Sequence, residues 1–215
     1  IIRGSIPTNH RRGEKIMKLL INEFIKDYKK KTTWLYFLLS FGIILLNSYF
    51  TKRQFEDGVD AVKILSGITV VAGSVAMVFS LIMLANNLSQ EYSKGTIKFL
   101  YTRPKSRSAI LTAKIVLAFI NYIIFLVVGT VFDFLTKYYV FFDRKVGLNH
   151  LNDTIEEGYF GRTVAKQLII TNLADLAVFI FFVAMVVLVC VVFKTQILSL
   201  VLVMLSLLGT ALIQG

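Results

Sequence analysis

At 215 residues, 56% of them apolar and 18 of them phenylalanine, the chain carries more hydrophobic surface than a water-soluble domain of this length can bury. The net charge of +11 would suggest nucleic acid in a soluble protein, but here the basic residues flank apolar blocks and form no stripe with stacking aromatics. Nucleic acid is therefore excluded as a partner, and anionic lipid headgroups take its place. Cys190 is the single cysteine and lies inside an apolar block, which excludes an internal disulfide framework.

Long uncharged blocks read as spanning helices, because in hydrocarbon each backbone polar group must be paired within its own segment. The expected fold class is an all-α polytopic membrane protein. Residues 1–15 are polar and basic, and no apolar core follows closely enough to make a cleaved signal peptide. Met17 opens the first patterned segment, and 1–16 reads equally as native or as added sequence. Over 17–28 the residues Met17, Leu20, Ile21, Phe24 and Tyr28 recur at helical spacing, with Lys18, Asn22 and Lys26 off that face. With Lys29, Lys30 and Lys31 at its end, this segment predicts an amphipathic helix on the cytoplasmic membrane surface. The plainer alternative is a basic flank that only fixes topology. The chain thus divides into a basic N-terminus, 1–31, and a membrane domain, 32–215.

The first span is expected over 33–50, with Trp34 and Tyr36 at one interface and Tyr49 at the other. A short loop, 51–63, sets Glu56, Asp57 and Asp60 against Lys52 and Arg53. The second span, 64–85, holds Ser66, Gly67, Gly73, Ser74 and Ala76, small residues that permit close helix approach. A polar stretch, 86–108, leads to a third span over 109–134, which the aromatic cluster at 138–142 would extend to an interface. A long polar loop reaches Lys166, a fourth span covers 168–193, and Lys194-Thr195-Gln196 reverses tightly into a fifth, 197–213. Five spans with a cytoplasmic start place about sixteen of the 24 Lys and Arg inside against four acids, and about eight outside against nine. Basic loops are retained in the cytoplasm, so this orientation is predicted and the reverse is not.

The segment most informative about function is 91–107. Gly95 can end one helix and Thr96 can cap the next, while Pro104 stops it with Thr102 and Arg103 biased toward an extended exit. Between them Ile97, Phe99, Leu100 and Tyr101 put large apolar groups on an element too short to span, a knob that needs a partner pocket or the membrane surface to cover it. The arrangement Glu91, Gly95-Thr96, Leu100, Arg103-Pro104, Arg107 and Lys114 resembles the first cytoplasmic loop of the membrane subunits of type-2 ABC transporters. An amphipathic N-terminal helix, this loop after the second span and a tight turn between the fourth and fifth are similar to that family as well.

The resemblance covers most of 17–213. It implies a permease whose coupling helix, carried by Glu91, Gly95, Thr96, Ile97, Phe99, Leu100, Tyr101, Pro104 and Arg107, docks on a separate ATP-hydrolysing chain. It further implies a homodimer or a pairing with a related permease, a bacterial plasma-membrane location, and export of an amphipathic peptide, antibiotic or other hydrophobic compound. ATP and magnesium would sit on the partner, and this chain would hold no catalytic group and no cofactor. Two features depart from the family. Six spans are usual and five are found, the sixth being absent or beyond this sequence, and the 137–166 loop is longer than the family's corresponding connection. A non-transporting sensor or scaffold with a cytoplasmic docking element is the rival reading.

Other residues read plainly. Asp133 and Asp175 are expected near the outer ends of their spans, in hydrated interfacial positions. Asn47, Asn121 and Asn172 suit polar contacts between helices. His150 lacks the companions of a metal site, and no phosphate-binding G-x-x-x-x-G-K-[ST] loop occurs.

Overall fold

The computed structural model describes residues 8–54, 61–93, 107–142, 145–155, 161–193 and 201. The described residues are helical almost throughout, as the apolar blocks require, and four helices are long and apolar enough to cross a membrane. The protein is an all-α polytopic membrane protein. The expected fifth span, 197–213, lies outside the described residues.

Helix α1, Thr8–Tyr28, starts nine residues earlier than the apolar pattern suggests. Nothing in 8–16 forbids a helix except the weak break at Gly13. The turn into α2, Lys31–Gln54, is held by side chains of α2 that satisfy the last carbonyls of α1. Thr33 Oγ1 donates to the Asp27 carbonyl at 2.6 Å and Trp34 Nε1 donates to the Tyr28 carbonyl at 3.2 Å. Trp34 therefore keeps its ring exposed, as an interfacial tryptophan should, while its N–H caps a helix.

In α2 the helix faces are inverted relative to a soluble protein. Ser40, Ile44 and Ser48, one turn apart, are buried, whereas Leu35, Leu38, Leu39, Leu46 and Phe50 are exposed. Small residues let helices approach and leucines meet lipid. Helix α3, Ala61–Ser66, is separated by Gly67 from α4, Ile68–Ser93. Helix α5, Arg107–Leu135, continues through a π-helical turn, Thr136–Phe141, closed by the Phe142 amide on the Lys137 carbonyl at 3.0 Å. That turn carries the aromatic cluster, with Tyr138 stacked on Phe134 at 5.7 Å. Helix α6 runs from Val164 to Phe193.

The chain groups into two compact units. The first comprises Ile1–Trp34, Leu81–Ile120 and Val183–Gly215, and the second comprises Leu35–Ser80 and Asn121–Phe182. In the second unit the long 137–166 loop, for which the sequence suggests no role, builds a small core. Phe142, Val146 and Ile155 pack with Ile64, Leu65 and Ile68 and with Val164 at the start of α6. A 3₁₀ turn, Leu148–Asn152, and an isolated bridge between Thr154 and Thr163 fix its path, and Gly161 takes the positive φ of 64° that its reversal needs. Elsewhere in this unit the core is aromatic. Phe37 stacks on Phe125 at 4.2 Å and Phe79 lies 5.9 Å from Phe125.

Candidate functional site

Within the first unit, α1 is joined to the helices on either side of segment 94–106. Helix α4 leads into that segment and α5 leads out of it, and both are gripped through a buried ionic network. The Asp27 carboxylate, 1% exposed, accepts from Lys30 Nζ at 2.9 Å through one oxygen and from Asn87 Nδ2 of α4 through the other. Lys30 Nζ also donates to Asn87 Oδ1 at 2.8 Å, which closes a three-membered ring of contacts. On the other side of Asn87, Lys114 of α5 donates to its backbone carbonyl at 2.7 Å and lies 3.7 Å from the Glu23 carboxylate of α1.

Lys114 is buried, so its charge depends on these oxygens rather than on water. Asp27 and its burial also act on the neighbouring Tyr28. Loss of solvent first, and the adjacent carboxylate second, push its phenol up to about 12. Phe24 stacks on Tyr28 at 4.5 Å. The apolar face expected of α1 is thereby divided. Leu20, Phe24 and Tyr28 are half-buried, and a line of Met17, Ile21 and Ile25 is left exposed beside Lys18 and Lys26.

Of the expected coupling residues, Glu91 falls in the last turn of α4 and Arg107 opens α5. Gly95, Thr96, Ile97, Phe99, Leu100, Tyr101 and Pro104 lie outside the described residues. The sequence pattern singles out Lys114 but not Asp27, Asn87 or Glu23. The available signal was Asp27, an acid directly before Tyr28 and three lysines, at a spacing that turns it to the same side as Glu23.

The second unit corrects the placement of the two intramembrane acids. Asp133 is not a hydrated interfacial group. It is fully buried, accepting from Ser48 Oγ at 2.9 Å and from Lys137 Nζ at 2.9 Å one turn along. The helix continues past it to Phe141, so the residue is not at the end of its helix. Asp175 is eleven residues into α6, about 16 Å from its start, and one carboxylate oxygen is buried without a partner among the described residues.

Asn172 donates to the Leu168 carbonyl of its own helix at 2.7 Å, not to a neighbouring helix. His150 Nδ1 pairs with Asp153 Oδ2 at 2.7 Å in an exposed position, and no group of three metal-ligating side chains occurs among the described residues.

Spanning helices with buried polar contacts, and an N-terminal helix tied to the two helices that flank segment 94–106, define a polytopic membrane protein. The sequence matches the family described as ABC-2 family transporter protein over residues 19–209. The chain belongs to that family and is a permease subunit of an ABC transporter. No curated protein and no solved structure matches it.

Proposed function

We propose that this permease exports an amphipathic or hydrophobic compound, driven by ATPase subunits on separate chains that dock on segment 91–107 from the cytoplasm. The observation that supports the docking role is the network of Asp27, Lys30, Asn87, Lys114 and Glu23, which ties α1 to both helices flanking that segment. A push delivered between α4 and α5 would then move α1 with them. ATP and magnesium belong to the partner chains, and two permeases, identical or related, complete the transporter in the bacterial plasma membrane.

The exposed line of Met17, Ile21 and Ile25, flanked by Lys18 and Lys26, fits a helix resting on an anionic membrane surface with the N-terminus inside. The test is copurification with the bound ATPase followed by truncation of the knob. Phe99→Ala and Leu100→Ala should leave membrane levels normal, with transport lost and ATPase activity no longer responsive to substrate. Interface hot spots of this kind typically contribute about 2 kcal/mol or more. Full transport and full ATPase binding in both variants would refute the docking assignment.

A further inference from the structure

The second unit contains buried polar atoms that no described residue answers. Ser80 Oγ, Tyr122 Oη, Gln167 Oε1, Asn172 Oδ1 and Asp175 Oδ2 are shielded from solvent and have no hydrogen-bond partner among the described residues, one another included. Orphaned polar atoms in an apolar interior are costly, and each calls for an explanation.

Their placement is not scattered. Gln167, Asn172 and Asp175 lie within about 12 Å along α6. A Cβ on Gly73 of α4 would collide with the Asp175 carboxylate, so the absence of a side chain there makes room for the acid. Tyr122 of α5, 1% exposed, stacks at 4.4 Å on Phe179, one turn beyond Asp175. Ser80 lies two turns along α4 from Gly73, on the same face.

The chemistry of the shortfall is one-sided. The amide nitrogens of Gln167 and Asn172 are already engaged, on Thr171 Oγ1 at 3.4 Å and on the Leu168 carbonyl at 2.7 Å. What remains is amide and carboxylate oxygen, together with two hydroxyls free to turn and accept. A site rich in acceptors and short of donors fits a group that carries several N–H bonds and a positive charge. A bare divalent ion fits poorly, since Asp175 is the only anionic group among these atoms and the remaining oxygens are neutral. The stacked rings of Tyr122 and Phe179 add aromatic faces that attract a cation.

We propose that Asp175, Tyr122 and the α6 oxygens of Asn172 and Gln167 form an intramembrane recognition site for the protonated amino group of an amphipathic substrate. Asp175 supplies the countercharge and the Tyr122 hydroxyl orients the ammonium. Asn172 and Gln167 offer oxygens along α6 from its Val164 end. The site names the substrate class of the permease proposed above and rests on that reading.

The test uses the full chain purified with its ATPase. Calorimetric titration at neutral pH compares phenethylamine with phenethyl alcohol, which differ only in the amino group. The amine should bind at least about tenfold more tightly than the alcohol, the scale of a hydrogen bond to a charged group. Asp175→Asn should abolish that preference and Tyr122→Phe, which keeps the ring stack, should reduce it. If Asp175→Asn does not fold, Tyr122→Phe and Gln167→Leu carry the same comparison. Equal binding of amine and alcohol, or an amine preference that survives these substitutions, overturns the site. The permease reading is scored separately, by ATPase copurification and ATP-dependent transport, so the site can fail while that reading stands.

Discussion

Asp27→Asn is the smallest change that opens the junction between α1 and the helices flanking segment 94–106. In the native network Lys30 has two acceptors, Asp27 Oδ1 and Asn87 Oδ1, and the second oxygen of Asp27 takes the Asn87 amide. An asparagine at 27 has one oxygen and one NH₂. If its oxygen faces Asn87, its NH₂ meets the Lys30 ammonium. If the amide is turned, Asn87 must turn with it, and Lys30 then meets the Asn87 NH₂. Either way Lys30 loses one charge-assisted bond and gains a donor facing a donor. Hydrogen bonds to charged groups contribute about 1.5–3 kcal/mol, and Lys30 is partly open to solvent, which places the cost near 2 kcal/mol. Thermal unfolding of the complex in detergent should show the loss, and ATP hydrolysis should become less dependent on transported substrate. Adding Asn87→Asp should rescue it, because the swapped pair satisfies every group: the amide oxygen at 27 accepts from Lys30, its NH₂ donates to one carboxylate oxygen at 87, and the other oxygen at 87 accepts from Lys30. Parental stability together with parental coupling in Asp27→Asn would refute the argument that this network holds α1 to the helices flanking segment 94–106.

Three further outcomes follow from the same geometry. The Tyr28 phenol is raised from 10.0 to about 12, so the folded state holds its proton more tightly than the unfolded chain. This contribution is fully present below pH 10 and lost between pH 10 and 12, and Tyr28→Phe should flatten that part of a stability–pH curve. Single cysteines at Ser106 and Asn152 should differ in intact cells, with an impermeant reagent labelling position 152 and sparing 106, and the opposite pattern would invert the orientation. Ile21→Glu, which places a charge on the exposed apolar line of α1, should release that helix from anionic vesicles, whereas Lys26→Gln should weaken binding by only about 1 kcal/mol.

The four described spans were legible because hydrocarbon leaves the backbone no alternative to a helix, and their bounds shifted only where local chemistry intervened. Helix α5 ran on to Phe141 because a π turn and Lys137 extended it beyond the apolar block. Helix α1 began at Thr8 because a polar stretch without proline can be helical without any hydrophobic signature. The role of the 137–166 loop was not legible, since Phe142, Val146 and Ile155 are widely spaced in a polar sequence and become a core only against Ile64, Leu65 and Ile68. The partners of Asp27 were hidden for a related reason. Asn87 is 60 residues away, and polar pairs at that separation leave no period in the sequence. The candidate coupling segment stands out in the sequence as punctuation, Gly95-Thr96 before Pro104, but lies outside the described residues, while the network on its flanking helices leaves no such mark.

Asp133 and Asp175 looked alike as single acids in apolar blocks, yet the structure surrounds them in opposite ways, and their stabilities should diverge accordingly. Both oxygens of Asp133 are bonded, one to Ser48 and one to a lysine that is itself buried. Removing that carboxylate strands the Lys137 ammonium, and breaking a buried pair from one side costs about 3–5 kcal/mol. Asp133→Ala should therefore melt well below the parent, and Asp133→Leu with Lys137→Met should recover most of the loss, because the pair replaced by apolar groups leaves no orphan charge. Asp175 has one oxygen unanswered, so Asp175→Asn exchanges an unanswered acid for a neutral amide that is cheaper to bury, and should leave stability unchanged or raise it by up to about 2 kcal/mol. A residue whose removal stabilises the fold is one kept for binding rather than for folding. Melting temperatures of the four proteins in one detergent decide the matter. A drop for Asp175→Asn as large as that for Asp133→Ala would make both acids structural and remove the energetic argument for a recognition site at Asp175.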